Sequence, residues 1–426
     1  MPTIDRRAVI TGIGVVAPGA IGRDPFWTLL RNGVTATRII TAFDADRHRC
    51  RVAAECDFDP IANGLTHREA RAHDRVTQMA LVAADEALRD SGLTIDGELA
   101  ERTGTAVGSA VGGTTTMERE YTVLSDGGEH WVVDPSFATP HVHDYFLPSS
   151  LAASLARRAG ALGPAAVISN GCTSGIDSVG YALEMIQRGE ADVMVTGASD
   201  APISPITLTC FDVIKATSIR NDTPESACRP FDRNRTGLIL GEGSAILILE
   251  EAEHARRRGA HIYAEVAGHA TRCNAFHMTG LSAQGAEMSE AIDHALSKAR
   301  LNPTDIDYVN AHGSGTKQND KHETEAVKRS LGEHAYRIPM TGIKSMIGHS
   351  LGAIGSLEIA ACALAMQNKV VMPTANLFEQ DPDCDLDYVP NIARDHDMKA
   401  VLTVGSGFGG FQSALVLTDL ELAGRG

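Results

Sequence analysis

A cysteine, two histidines, a lysine and a phenylalanine stand where apolar runs of this chain turn into glycine-bounded loops, and together they hold the parts for acyl transfer through a thioester. Cys172 lies in Val167-Ile-Ser-Asn-Gly-Cys-Thr-Ser-Gly-Ile-Asp-Ser178, where an apolar run ends in small residues and a helical pattern over 173–187 follows at once. Gly171 and Gly175 permit a sharp turn. The first N–H groups of the helix would face the sulfur, favouring thiolate over thiol and later holding an oxyanion. Alone, a cysteine before a helix is more often a small buried hydrophobe.

The partners such a thiol needs lie far along the chain. His312 sits in Tyr308-Val-Asn-Ala-His-Gly-Ser-Gly-Thr316, a short strand entering a glycine-rich loop. Lys344 and His349 share Met340-Thr-Gly-Ile-Lys-Ser-Met-Ile-Gly-His-Ser-Leu-Gly-Ala-Ile-Gly355. Phe408 is the one aromatic in Thr403-Val-Gly-Ser-Gly-Phe-Gly-Gly410. Each has an ordinary reading by itself: a satisfied histidine, a solvated lysine, a turn with a core anchor. All of these readings holding together with a merely buried cysteine is the less economical account.

These stretches, with Asn274-Ala-Phe-His-Met-Thr-Gly280 and Pro382-Asp-Cys-Asp-Leu-Asp-Tyr-Val-Pro390, resemble the β-ketoacyl synthases of the thiolase superfamily. The likeness runs through the whole chain and is strongest to the catalytic α subunit of bacterial type II, aromatic polyketide synthases. Asn170 departs from that pattern, which usually has a small apolar residue there; the departure bears on the local pocket more than on the reaction. The resemblance implies an α/β thiolase-like fold with two similar halves in a five-layered αβαβα arrangement. The first half, 1–255, would bring Cys172. The second, 256–426, would bring His312, Lys344, His349 and Phe408. It implies that no cofactor or metal is bound by the chain and that substrates arrive on the phosphopantetheine of an acyl carrier protein.

The chemistry assigns roles from there. Cys172 takes the acyl group, its own N–H and that of Phe408 form an oxyanion hole, and His312 and His349 stabilise the enolate left by decarboxylation of a malonyl thioester, His312 also assisting that decarboxylation. Lys344 acts indirectly on the histidines, with Glu323. The resemblance implies that Thr279 and Thr316 line the pantetheine tunnel. Phe408 is a gate whose flanking glycines permit its movement.

Composition agrees. The 426 residues, 43% hydrophobic and 22% charged, are enough for more than one ordinary domain and a large core. No stretch reaches ~18 uninterrupted apolar residues. The opening Met-Pro-Thr-Ile-Asp-Arg-Arg runs straight into a strand, leaving no room for a secretory signal, and eight scattered cysteines without a C-x-x-C pair argue for a reducing cytoplasm. A formal charge of −16 disfavours nucleic acid, so an acidic partner needs a local basic patch. Arg68, Arg71 and Arg75 on a helix-like segment over 66–90, and Lys215 with Arg220, are candidates. The bland reading is a solvated face; the resemblance implies that Arg68, Arg71 and Lys215 receive the carrier protein.

Strands are expected over 8–16, 105–108, 165–169, 192–197 and 245–250, then 262–269, 308–311, 340–342 and 400–404. Helices are expected over 76–91, 149–158 and 174–188, then 285–299, 320–331 and 353–367, an α/β layering. The charged run 250–259 reads as an exposed connector between the halves. No sequence repeat is visible.

Rival classes are distinguishable. A thiolase places a second cysteine in the last glycine-rich loop, where this chain has Phe408. The non-catalytic chain-length factor lacks the nucleophile, which is present here. A homodimeric fatty-acid ketosynthase is the nearer alternative, disfavoured by the motif wording. The α-subunit resemblance instead implies a heterodimer with a homologous Cys-less subunit, meeting at the strand 165–169, with Tyr145-Phe-Leu-Pro148 near the acyl tunnel.

Overall fold

Ala8–Ala17 (β1) is buried at every position, as expected for an apolar, β-branched strand covered on both faces. The structure, a computed structural model describing residues 6–420 and 422, places β1 near the middle of an eleven-stranded sheet. The other principal strands are Thr103–Gly108 (β2), Ala165–Ile168 (β3), Val193–Asp200 (β4), Gly243–Glu251 (β5), Ala264–Cys273 (β6), Tyr308–Asn310 (β7), Met340–Thr341 (β8), Ala400–Gly407 (β9) and Phe411–Thr418 (β10). A two-residue strand, Ala20–Ile21, folds back on β1. The order across the sheet is β8-β7-β9-β10-β6-β1-β5-β4-β2-β3.

That order repeats. From either outer edge inward, each half of the chain lays down its third, second, fourth, fifth and first strands. The pairing directions repeat as well: the two inner pairings of each half are antiparallel and the two outer ones parallel. The halves join where β1 meets β6 antiparallel, from Ala8↔Val266 to Ile10↔Ala264. Topology thus carries a repeat that is not visible in the sequence.

A helix follows the first, second and third strand of each half: Arg75–Ser91 (α1), Ser149–Ala159 (α2) and Ser174–Gln187 (α3), then Ala286–Ala299 (α4), Lys317–Leu331 (α5) and Ile354–Asn368 (α6). α1 and α2 cover the outer face of the first-half strands, and α4, with α5 beside it, covers the second. α3 and α6 pack on each other and on strands of both halves, forming the middle layer of an αβαβα stack. They touch backbone to backbone: a Cβ on Gly175 would lie 2.5 Å from Ser356 N, and one on Gly355 2.7 Å from Ile176 N. This brings together the N-terminal ends of both middle helices, and with them the loops that precede them. Leu351–Asn368 is apolar and long enough by composition to cross a membrane, but 89% of it is buried inside the fold.

Three expectations change. The segment 66–90 is two helices, because His73 is extended and Asp74 starts α1 anew, its carboxylate accepting the N–H of Thr77 at 2.8 Å. Arg75 then leaves the proposed basic patch to pair with Glu242 at 2.7 Å. The run 250–259 is an exposed connector only in part: Glu250 and Glu251 complete β5, Glu250 is fully buried against Arg258 and Thr11, and exposure begins in the short helix Ala252–Arg257, at Glu253, Arg256 and Arg257. β10, absent from the expected strands, forms a hairpin with β9 that carries Phe408 at its turn.

Candidate active site

β3 ends at Ile168, Gly171–Thr173 makes one tight turn with Gly171 at φ +59°, and α3 begins at Ser174. The Asn170 N–H donates to Ser174 Oγ at 2.9 Å, closing the turn. Cys172 is half-buried here, within reach of its own N–H and of the Phe408 N–H, both of which favour its ionised form. The two donors expected of an oxyanion hole are therefore present. The expected thiolate is not. Burial pushes the Cys172 thiol up to about 12; Lys344 opposes this and Asp200 adds to it. The helix field, worth at most about 2 kcal/mol or about 1.5 on the pKa scale, does not offset that rise. The thiol rests protonated.

His312 follows β7, and His349 lies between the short helix Lys344–Ile347 and the turn before α6. His349 is fastened to the first half: its N–H donates to Ile239 O at 2.8 Å, and its carbonyl accepts the Gly241 N–H at 2.9 Å. The two rings stand edge to face with centroids 5.2 Å apart. Each Nδ1 is buried without a hydrogen-bond partner among the described residues. Burial holds both imidazoles well below their usual pKa, the Lys344 charge lowers them further, and His349 adds to the effect on His312. Both are neutral at pH 7, matching the protonated thiol beside them.

Lys344 is completely buried, pairs with Glu358 Oε1 at 2.6 Å and also donates to the His312 carbonyl oxygen. Glu323, expected beside Lys344, accepts the Gly313 N–H at 2.8 Å and the His312 N–H from behind the His312 loop, within the field of Lys344, but lines no part of the cavity and so does not contact substrate there. Burial, reinforced by Asp320, raises its carboxyl well above the ordinary range. The missed residue is Glu358, on α6. Its signal was a single acid in the otherwise apolar run Ile354-Gly-Ser-Leu-Glu-Ile-Ala-Ala.

A cavity of about 720 Å³ is bounded by Cys172, His312, His349, Phe408, Thr279 and Thr316, with Lys215, Arg220, Arg233 and Lys317 adding positive charge to its walls. Phe408 is 37% exposed and its ring stacks on Phe211, centroids 6.0 Å apart. Arg68 and Arg71 line no wall of this cavity. They lie on His67–Ala72, where the Arg71 carbonyl accepts from Tyr145 Oη at 2.9 Å. The segment from Tyr145 to Pro148 borders a second cavity, about 560 Å³, together with Val167 and Ser169 next to the nucleophile turn.

Two family models match, the β-ketoacyl synthase N-terminal domain over residues 5–255 and the β-ketoacyl synthase C-terminal domain over 263–378. The tetracenomycin polyketide synthase ketoacyl synthase alpha subunit of Streptomyces glaucescens is 61% identical over 97% of both chains. The 3-oxoacyl-[acyl-carrier-protein] synthase 2 of Staphylococcus aureus is 38% identical over 98% of this chain and 99% of its own. Among solved structures, one chain of a type II polyketide synthase acyl-carrier protein in complex with its ketosynthase bound to the hexaketide superposes with TM-score 0.91 at 38% identity, covering 98% of this chain and all of that one. The ishigamide ketosynthase/chain length factor follows at TM-score 0.89 and 34% identity, over 97% and 99% of the two chains. With the thiolase-like layering and the Cys172, His312 and His349 cavity already in place, these matches show that the chain belongs to the β-ketoacyl synthase family, alongside its type II polyketide α subunits.

Proposed function

We propose that this protein extends a poly-β-ketoacyl chain by decarboxylative Claisen condensation of malonyl units carried on an acyl carrier protein. The observation that carries this reading is the convergence of Cys172, His312, His349 and Phe408 on one cavity, from units 1–255 and 256–426. Cys172 attacks the thioester of an incoming acyl group; its proton passes to a neutral imidazole, which hands it to the departing carrier sulfur, so that the carrier leaves as a thiol and the imidazole is neutral again. Malonyl thioester then enters, the C–C bond to its carboxylate breaks, CO2 departs, and the electron pair remains as an enolate. Neutral His312 and His349 donate hydrogen bonds to the enolate oxygen. The enolate carbon attacks the Cys172 thioester, the oxyanion sits on the N–H groups of Cys172 and Phe408, and collapse releases a β-ketoacyl chain on the carrier and the Cys172 thiolate, which takes a proton from water to regenerate the thiol.

Thr279 and Thr316 fit a pantetheine arm in the cavity, and Phe408 gates between the two half-reactions. The malonyl and acyl groups arrive as substrates on phosphopantetheine. Lys215, at the cavity, and Arg68 and Arg71, beside the Tyr145 segment, receive the acidic carrier protein. The partner is a homologous subunit without the nucleophile, seated on the edge strand β3. The greater identity to the polyketide α subunit, 61% against 38% for the fatty-acid enzyme, supports the polyketide reading over the homodimeric alternative. Intact-protein mass spectrometry with an acyl donor tests it: Cys172→Ala is expected to fold and stay unacylated. An acyl adduct surviving in that variant overturns the assignment.

A further inference from the structure

Asp177, in the first turn of α3, is 5% exposed, and its two oxygens are shared between the halves of the chain. Oδ2 accepts from Asn170 Nδ2 at 2.9 Å and from Thr173 Oγ1 at 2.8 Å, residues on either side of Cys172. Oδ1 accepts from Ser413 Oγ at 2.6 Å, on β10, and lies 3.2 Å from His269 Nε2, on β6. Burial alone raises this carboxyl, but the hydrogen bonds from His269, Ser413 and Asn170 outweigh it and hold the group below its usual range. A buried carboxylate with so many donors is stable as an anion. None of these residues lines the cavity, so none can touch substrate there.

Their placement gives them another use. The proposed oxyanion hole has one N–H on each half of the chain, Cys172 on the turn before α3 and Phe408 on the turn of the β9–β10 hairpin. Asp177 grips the nucleophile turn through Asn170 and Thr173, and the β9–β10 hairpin through Ser413, a few residues past Phe408. We propose that Asp177 is a positioning residue for acyl transfer, a cross-brace between the halves that sets the spacing of the two oxyanion donors, with Asn170 as its adjustable grip on the nucleophile turn. The inference rests on the acyl-transfer reading above.

The test uses the full chain with acetyl-pantetheine as acyl donor, following Cys172 acylation by peptide-resolved mass spectrometry. Asn170→Asp sets a second carboxylate against Oδ2 and breaks the grip. In Asn170→Asp/Asp177→Asn, donor and acceptor are exchanged between the two positions, while position 177 keeps an oxygen for Ser413 and His269. The single variant is expected to lose on the order of tenfold in kcat, the scale of a hydrogen bond to a charged group, with KM within about twofold because the cavity wall is untouched. The double variant is expected to recover most of that loss. Asn170→Ala, which only deletes the grip at a half-buried turn, is expected to lower kcat similarly with its melting temperature nearly unchanged. An unchanged kcat in both single variants, or a double variant no better than Asn170→Asp, overturns the inference. A wild-type chain that never carries acetyl on Cys172 overturns the acyl-transfer reading itself, and is recognised as such before any variant is compared.

Discussion

Lys344 Nζ lies 2.6 Å from Glu358 Oε1, with both side chains completely buried. The pair links the helix Lys344–Ile347, just ahead of His349, to α6 in the middle layer, and the same ammonium reaches the His312 carbonyl. Burial pushes the Glu358 carboxyl up to about 7, with Lys344 pulling it back. Desolvating two charges offsets much of their attraction, so the pair is better explained by its effect on the histidines than by stability.

Removing one partner and removing both are therefore expected to differ. Glu358→Ala leaves an uncompensated buried ammonium and is expected to cost about 3–5 kcal/mol in denaturant unfolding. Lys344→Met/Glu358→Met is expected to regain wild-type stability to within about 1 kcal/mol, yet to release CO2 from malonyl-carrier protein slowly. A fully active double variant would show that the pair has only a structural role.

The Cys172 thiol gives a pH prediction of definite sign. Its pKa is raised by burial from 9.0 to about 12, so the thiolate is scarce at pH 7 and grows as pH rises. Alkylation by iodoacetamide is expected to climb about tenfold per pH unit between about pH 7 and 9, since the thiolate is the reacting form. A plateau near pH 7 would mean that the helix start prevails over burial. Cys210 and Cys273 are exposed and will also react, so the rate must be read on the peptide containing Cys172.

The histidines separate the half-reactions. His312→Ala and His349→Ala are each expected to leave Cys172 able to accept an acyl group, while CO2 release and condensation fall by about 100-fold or more, as when one oxyanion donor is lost. Radiolabelled malonyl-carrier protein measures both steps. Normal CO2 release from either variant removes that histidine from the enolate.

The partner prediction follows from one strand edge. β3 is the last strand of the sheet and is partly exposed along its length. The carbonyls of Pro164 and Ile168 accept from Thr105 and Ser109 of the neighbouring chain segment, so by alternation the N–H of Val167 faces the free edge. Val167→Pro is expected to keep the subunit folded but to abolish co-purification with a co-expressed Cys-less homologue. Undiminished co-purification would place the interface elsewhere.

Much of this was legible in the residues because the reacting groups sit in short glycine-bounded motifs whose chemistry is local. Cys172, His312, Lys344, His349 and Phe408 announce themselves by type and setting, and apolar runs of the right length marked most strands and helices. What the sequence could not hold was anything decided by distant neighbours. The matching strand order of the two halves is a property of pairing, which tolerates complete divergence of side chains so long as each strand stays apolar. Glu358 reads as one acid in a core helix until the fold seats Lys344 against it. Asp177 reads as the polar residue of an amphipathic turn until β6 and β10 arrive beside it. The thiol shows the limit most clearly: a helix start favours its anion locally, whereas the surrounding layers, assembled from both ends of the chain, remove the water that the anion needs, and the larger effect is the tertiary one.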